Sequence, residues 1–269
     1  MNVRIAAFLA LALLAPLECG AGVVVVGSLT HEHEVQPGRS YEGSIEVQNP
    51  TEKPLEIRVY QTDYFFYADG TSLYGEPGNL PRSNARWLTF SPKQATIPPK
   101  DGVTIRYTIT VPADDTMKGT WWSMLMVEEV PEGSPESSTP SKDEVSLGIR
   151  QVFRYGIQVA THIGASGSRR LRFTQVRLSA DKEKRSLIVD LENTGERWLR
   201  VALWTELYDA EGRYVGRFEG GTHRLYPGTT ARFTADLVGV RDATYKALIV
   251  ADCGGDDVFG ADVSLVLRK

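Results

Sequence analysis

Few residues of this chain have the types and spacing that chemistry needs. His31-Glu-His33-Glu34 would put two imidazoles on one face of an extended strand, a geometry able to bind a transition metal. His162 and His223 stand far off in the sequence, so an exposed, charged first strand is the stronger account. Asp252, Asp256 and Asp257 around Gly254-Gly255 offer carboxylate oxygens for calcium, but the spacing fits a solvated hairpin tip better than a calcium loop. Trp121 and Trp122 could stack on sugar, yet alternation sends one of them inward, and Met124 with Met126 reads as core filler. There is no nucleophile elbow, zinc-protease helix, phosphate-cradling glycine loop or cysteine metal pair. The sequence therefore predicts no enzyme, no cofactor and no metal site.

Such a chain must act by what it touches. The most distinctive surface-forming stretch is Val145 to Val159. Every second position there is Val145, Leu147, Ile149, Gln151, Phe153, Tyr155, Ile157 and Val159, with Arg150 and Arg154 among the residues between. Period two marks an extended strand with one buried face. Fifteen extended residues span roughly 50 Å at about 3.3 Å each, more than a sandwich strand needs. The preceding 131–144 is polar, proline-broken and too poor in apolar residues to bury itself, so it is expected to form a mobile loop. An overlong strand released by such a loop can offer its surplus row to another protein. A bent strand, or two strands broken at Gly148 or Gly156 and buried at home, is the other reading.

The elements around that strand are also extended. Ser44-Ile-Glu-Val-Gln and Leu55-Glu-Ile-Arg-Val-Tyr-Gln alternate on either side of a turn at Asn49-Pro50. Val103 to Val111 and Trp121 to Val127 continue the pattern. After a small break at Gly164 to Ser168, the second half repeats it with turns at Asn193-Thr-Gly195, Asp209 to Gly212 and Pro227-Gly228. No stretch after the start gives a capped helical period. The fold class is all-β: two tandem immunoglobulin-like β-sandwich domains after a signal peptide, over 22–163 and 168–269.

The signal peptide is read at 1–21, from Arg4, the apolar run Ile5 to Leu17 and small residues at Cys19 and Ala21. It predicts an exported, periplasmic protein with no transmembrane segment. Removal of Cys19 would leave Cys253 without an intramolecular partner. A net charge of −4 in 269 residues argues against nucleic acid as a ligand.

The first half resembles the amino-terminal domain of periplasmic pilus-assembly chaperones of the chaperone–usher type. The matching stretches are Ser44 to Tyr60, Trp87-Leu-Thr-Phe-Ser-Pro92, Ile97-Pro-Pro-Lys-Asp-Gly-Val-Thr-Ile-Arg-Tyr107 and Gly119-Thr-Trp-Trp-Ser-Met-Leu-Met-Val-Glu-Glu129. The loop at 131–144 and the strand at 145–159 fall where that family keeps its mobile loop and subunit-binding strand. The resemblance implies that Val145, Leu147 and Ile149 are lent to a pilus or surface-fibre subunit that lacks a strand. It implies Phe153 as part of the same partner-binding strand and an outer-membrane assembly protein as a further partner. The family also holds the subunit's terminal carboxylate on basic residues in the cleft between domains. Here Arg150 and Arg154 would supply the second-strand cation, while Val23 to Val35 has no Arg or Lys, only His31 and His33. The other function class is a structural or adhesive sandwich protein of the bacterial cell envelope.

Overall fold

The computed structural model describes residues 22–131, 134–135, 137, 152–181 and 184–268. The expected signal peptide, most of the 131–144 loop, and Val145, Leu147, Ile149 and Arg150 lie outside the described residues.

The first domain pairs two sheets. The strands are β1 (Val24–Val26), β2 (Thr30–Val35), β3 (Ser40–Gln48), β4 (Leu55–Phe66), β5 (Ser72–Gly75), β6 (Leu88–Ser91), β7 (Gln94–Ile97), β8 (Gly102–Thr110), β9 (Gly119–Val130) and β10 (Arg154–Ile163). One sheet runs β1-β3-β8-β6; the other runs β2-β10-β9-β4-β5, with β7 also on β4. Alternation drives their packing. Ile45 and Val47, Ile57 and Val59, Ile105 and Ile109, Leu125 and Val127, and Ile157 and Val159 all point into one core. The only helical element among the described residues is a short 3₁₀ turn, Ala85–Trp87.

The second domain contains β11 (Leu171–Asp181), β12 (Lys184–Asn193), β13 (Leu199–Tyr208), β14 (Tyr214–Leu225), β15 (Thr230–Asp236), β16 (Thr244–Asp252) and β17 (Val258–Val266). Its sheets are β11-β12-β15 and β14-β13-β16-β17, and they enclose a separate core built around Phe233, Leu191, Leu203 and Ile249. The fold is nearly all β, two immunoglobulin-like sandwiches in tandem. Each domain pins a corner with a buried asparagine. Asn49 Nδ2 donates to the carbonyls of Lys53, Ile97 and Pro98, and Asn193 Nδ2 donates to those of Arg197 and Leu225. Such satisfied amides let a loop cross a dry interior.

The domains touch closely at Gly119. Its φ is +72°, and a Cβ there would lie 2.0 Å from the carbonyl oxygen of Glu196, so only glycine admits the second domain's turn. The Thr120 amide donates to that same carbonyl at 2.8 Å.

The strand expected over 145–159 is placed differently within the described residues. It is Arg154–Ile163, so it starts after Val152 and Phe153 and continues four residues past Val159. The extra residues stay extended because Thr161, although polar, is satisfied inside: its hydroxyl bonds Tyr41 at 2.7 Å and Asn84 at 2.9 Å. Phe153 still runs beside β9, since its carbonyl accepts from the Glu129 amide at 3.1 Å.

Candidate protein-binding edge

Strand β10 is paired along its whole length on one side, antiparallel to β9 from Arg154↔Glu128 to Ile163↔Gly119. On its other side β2 runs parallel and reaches only from Gln158↔Thr30 to Ile163↔Val35. The Gln158 amide donates to Leu29 O at 2.9 Å and the Gly164 amide to Val35 O at 3.0 Å, which fixes the even-numbered backbone groups as those facing β2. By the same alternation the backbone groups of Arg154 and Gly156 face outward, and no described strand pairs with them. An open edge of this kind is a template for another strand.

The side chains of β10 divide as the alternation requires. Tyr155, Ile157 and Val159 pack into the first core. Phe153 is half-buried with its ring close to Gly22, so the start of the described chain covers it. On the outer face stand Arg154, Gly156, Gln158, Ala160 and His162. Arg154 donates to Glu128 at 2.7 Å, and the other carboxylate oxygen of Glu128 accepts from Arg58 at 3.0 Å and from the Tyr60 hydroxyl at 2.9 Å. Burial pulls the Glu128 carboxyl upward, but the bonds from Arg154, Tyr60 and Arg58 outweigh it and hold the group below the usual carboxylate range. The phenol of Tyr60 is pushed up by burial and by donating to that carboxylate.

Arg154 therefore sits at the end of β10 far from the domain joint, beside Glu128 rather than in the cleft. The joint brings His162, Trp122 and the Glu32 and Glu34 of the first histidine motif together with Thr120, Trp198, Arg197 and Arg224, which the sequence alone does not single out. Thr120 Oγ1 accepts from the Trp198 amide at 3.0 Å and lies 3.0 Å from His162 Nδ1. Glu32 binds Arg224 at 2.8 Å and lies 3.7 Å from His162 Nε2, too long for a hydrogen bond. The His162 imidazole and the Arg224 guanidinium hold the Glu32 carboxyl below its ordinary value. Glu34 faces Arg197 at 3.4 Å, and the Arg224 guanidinium lies over the Trp198 ring. Trp122, Ala160 and Tyr226 form a buried apolar plug beside them. Strand β2 thus carries carboxylates in the Val23 to Val35 stretch where the resemblance implies a cation, and the second domain supplies the arginines. The carboxylates of Glu32 and Glu34 are visible in the sequence, but the arginines that answer them stand 192 and 163 residues away.

The weaker candidates resolve locally. His31 Nδ1 lies 2.8 Å from the Tyr107 hydroxyl, and His33 stacks on Tyr41 with centroids 4.2 Å apart. Both imidazoles are lowered from their ordinary pKa, chiefly by burial. Asp252 accepts from the Gly254 amide and Asp257 from Arg169 at the β16–β17 hairpin tip. Among the described residues no group of three or more His, Cys, Asp or Glu is arranged to hold a metal. Burial, with Asp257 and Asp252 nearby, pushes the Cys253 thiol up to about 11. Trp121 packs toward the first core, and Trp122 turns outward to the joint. Met124 and Met126 are buried, as their reading as filler requires, but on the face of β9 turned away from the two sandwich cores.

No protein-family profile matches the chain, and no curated protein matches it. Among solved structures it is similar to a chain of the chaperone–tip adhesin complex of CFA/I fimbriae biogenesis, at 12% identity and TM-score 0.48, over 91% of this chain and 98% of that one. It is similar to the class 5 fimbriae chaperone CfaA, at 12% identity and TM-score 0.47, over 92% of this chain and 100% of that one. It is also similar to a chain of the CsuC–CsuE chaperone–tip subunit pre-assembly complex from the archaic chaperone-usher Csu pili of Acinetobacter baumannii. That match has 14% identity and TM-score 0.44, over 90% of this chain and 98% of that one.

Proposed function

We propose that this chain is an exported, periplasmic chaperone-like protein that captures a subunit of a pilus or surface fibre by lending it a β-strand. The observation that carries the reading is the edge of β10, which no described strand pairs at Arg154 and Gly156, the end that the alternating row Val145, Leu147, Ile149 precedes in the sequence. A subunit lacking one strand exposes a groove of core surface. The lent backbone pairs with the groove's edge, and the row fills its pockets. Burying three such side chains contributes on the order of 5 kcal/mol, at about 1.5–3 kcal/mol each, less the cost of ordering the donor segment. Arg150, Phe153 and Arg154 continue the donated strand toward the sheet, and an outer-membrane assembly protein receives the loaded subunit.

The sealed, arginine-filled joint favours a second reading, a structural or adhesive sandwich protein of the envelope. One double variant separates the two. With Leu147→Glu and Ile149→Glu, strand lending requires an unchanged melt, within about 0.5 kcal/mol, and loss of subunit co-purification. A melt lowered by several kcal/mol would place the row in the chain's own core and end the lending mechanism.

A further inference from the structure

We infer that the outer face beside the open edge of β10 holds a second contact for the captured subunit: a pocket for one bulky apolar side chain with an acidic residue two positions away. The inference rests on the strand-lending reading and adds to it a side-chain preference in the partner.

The pocket is a cavity of about 350 Å³ lined by Tyr60, Thr62, Tyr74, Met124, Met126, Arg154 and Gly156. An antiparallel sheet that faces water carries polar side chains on its wet face. Strand β9 is instead buried on both faces: Trp122, Met124 and Met126 lie on the outer one, the methionines only 9% and 5% exposed, and Leu125 and Val127 fill the core side. Trp122 is used by the domain joint; the two methionines are not. Unbranched and polarizable, methionine adapts to whatever ring or chain enters. Gly156 shapes the entrance, because a Cβ there would lie 2.4 Å from Met124 Cε. Glycine lets the Met124 side chain lie over β10 at this position.

An incoming strand that pairs with Arg154 and Gly156 lies about 4.7–4.9 Å away and turns every second side chain onto this face. The residue beside Gly156 then meets the methionines and Tyr74 instead of a β10 side chain. Two positions along the same face it meets Arg154. The charge exposed at this rim is positive: the side chains of Arg58 and Arg154 are 40% and 55% exposed, whereas Glu128 between them is 10% exposed. Glu56, the next carboxylate along β4, has its oxygens bound by Gln94 and Ser137. An apolar side chain with an acidic neighbour at period two complements this surface.

Photo-crosslinking in the native host tests it, with p-benzoylphenylalanine placed separately at Tyr74, at Leu147 and, as a control on the second domain, at Tyr214. The expected result is that Tyr74 and Leu147 label the same protein and Tyr214 does not. The peptide joined through Tyr74 should carry a large apolar residue two positions from Asp or Glu. Labelling through Leu147 but not Tyr74, or labelling of a different protein through Tyr74, overturns the pocket and leaves strand lending intact. Failure at Leu147 overturns strand lending and the pocket with it. Tyr74 is exposed, so Tyr74→Ala should leave the melt unchanged while lowering subunit recovery about tenfold. Undiminished recovery from that variant would also overturn the pocket.

Discussion

The two halves of β10 share one inner face and differ in what borders them. From Gln158 to Ile163 the strand lies between β9 and β2, with Thr120 and Glu32 beside His162 and the second domain's Trp198 stacked on its ring. From Arg154 to Ile157 only β9 flanks it among the described residues. Yet Ile157 in the open half is as buried as Val159 in the sealed half. Openness here belongs to the backbone edge and the outer face, not to the core. A strand built this way can accept a neighbour without loosening its own domain.

The largest expected effect tests whether the inner face is uniform. Val159→Asp puts a carboxylate with no partner into a dry core, a change that removes several kcal/mol from the roughly 5–15 available to a domain. Ile157→Asp should cost as much, because the core does not register which half of the strand is open. Urea denaturation of both variants measures this. A much milder Ile157→Asp would show that the open half is loosely packed, and the contrast would then lie in the core.

The next effect reads the backbone directly. The Gln158 amide is bonded to Leu29, whereas the Gly156 amide faces the open side. Hydrogen exchange followed by NMR should find Gly156 exchanging at least about a hundredfold faster than Gln158, as an edge amide opens without the cooperative unfolding a ladder amide requires. Equal protection would mean that another segment covers the edge in the free protein.

Much of this arrangement was legible locally and some of it was not. Alternation at Leu55 to Gln61 put Ile57 and Val59 on one face, because a two-residue period needs no distant information. At Trp121 to Val127 it did not show that Leu125 and Val127, rather than Met124 and Met126, fill the first core. The same period misjudged where β10 ends. Thr161 and His162 interrupt the apolar pattern and become tolerable inside only through Tyr41, Asn84 and Thr120, which are 120, 77 and 42 residues away. The face holding Trp122, Met124 and Met126 was correctly grouped, but its surroundings were not, since Tyr226 and Tyr74 come from other elements. Parallel pairing of β2 with β10 and the Glu32–Arg224 bridge join residues more than a hundred positions apart. Local composition has no means of choosing such partners.

The smallest effect is a pH dependence that should make the sealed half resemble the open one. His31 and His33 sit on β2, the strand that does the sealing, and turn toward Tyr107 and Tyr41. Burial lowers both imidazoles in the folded state below the value of about 6.5 expected when unfolded. A depressed folded pKa means that the unfolded chain binds protons first as the pH falls. The stabilisation is therefore complete above about pH 6.5 and is lost progressively below it, down to the lowered folded values. Stability should fall between pH 7 and pH 5, and protection of the Gln158 amide should fall with it, because Leu29 O adjoins β2. Over this range the Glu32 carboxyl, held low by His162 and Arg224, stays ionised, so its bridge persists and the joint holds. Exchange measured at pH 7 and pH 5 in the intact chain checks the ordering. His33→Gln should flatten the slope, whereas an unchanged slope would assign the acid sensitivity to groups outside β2.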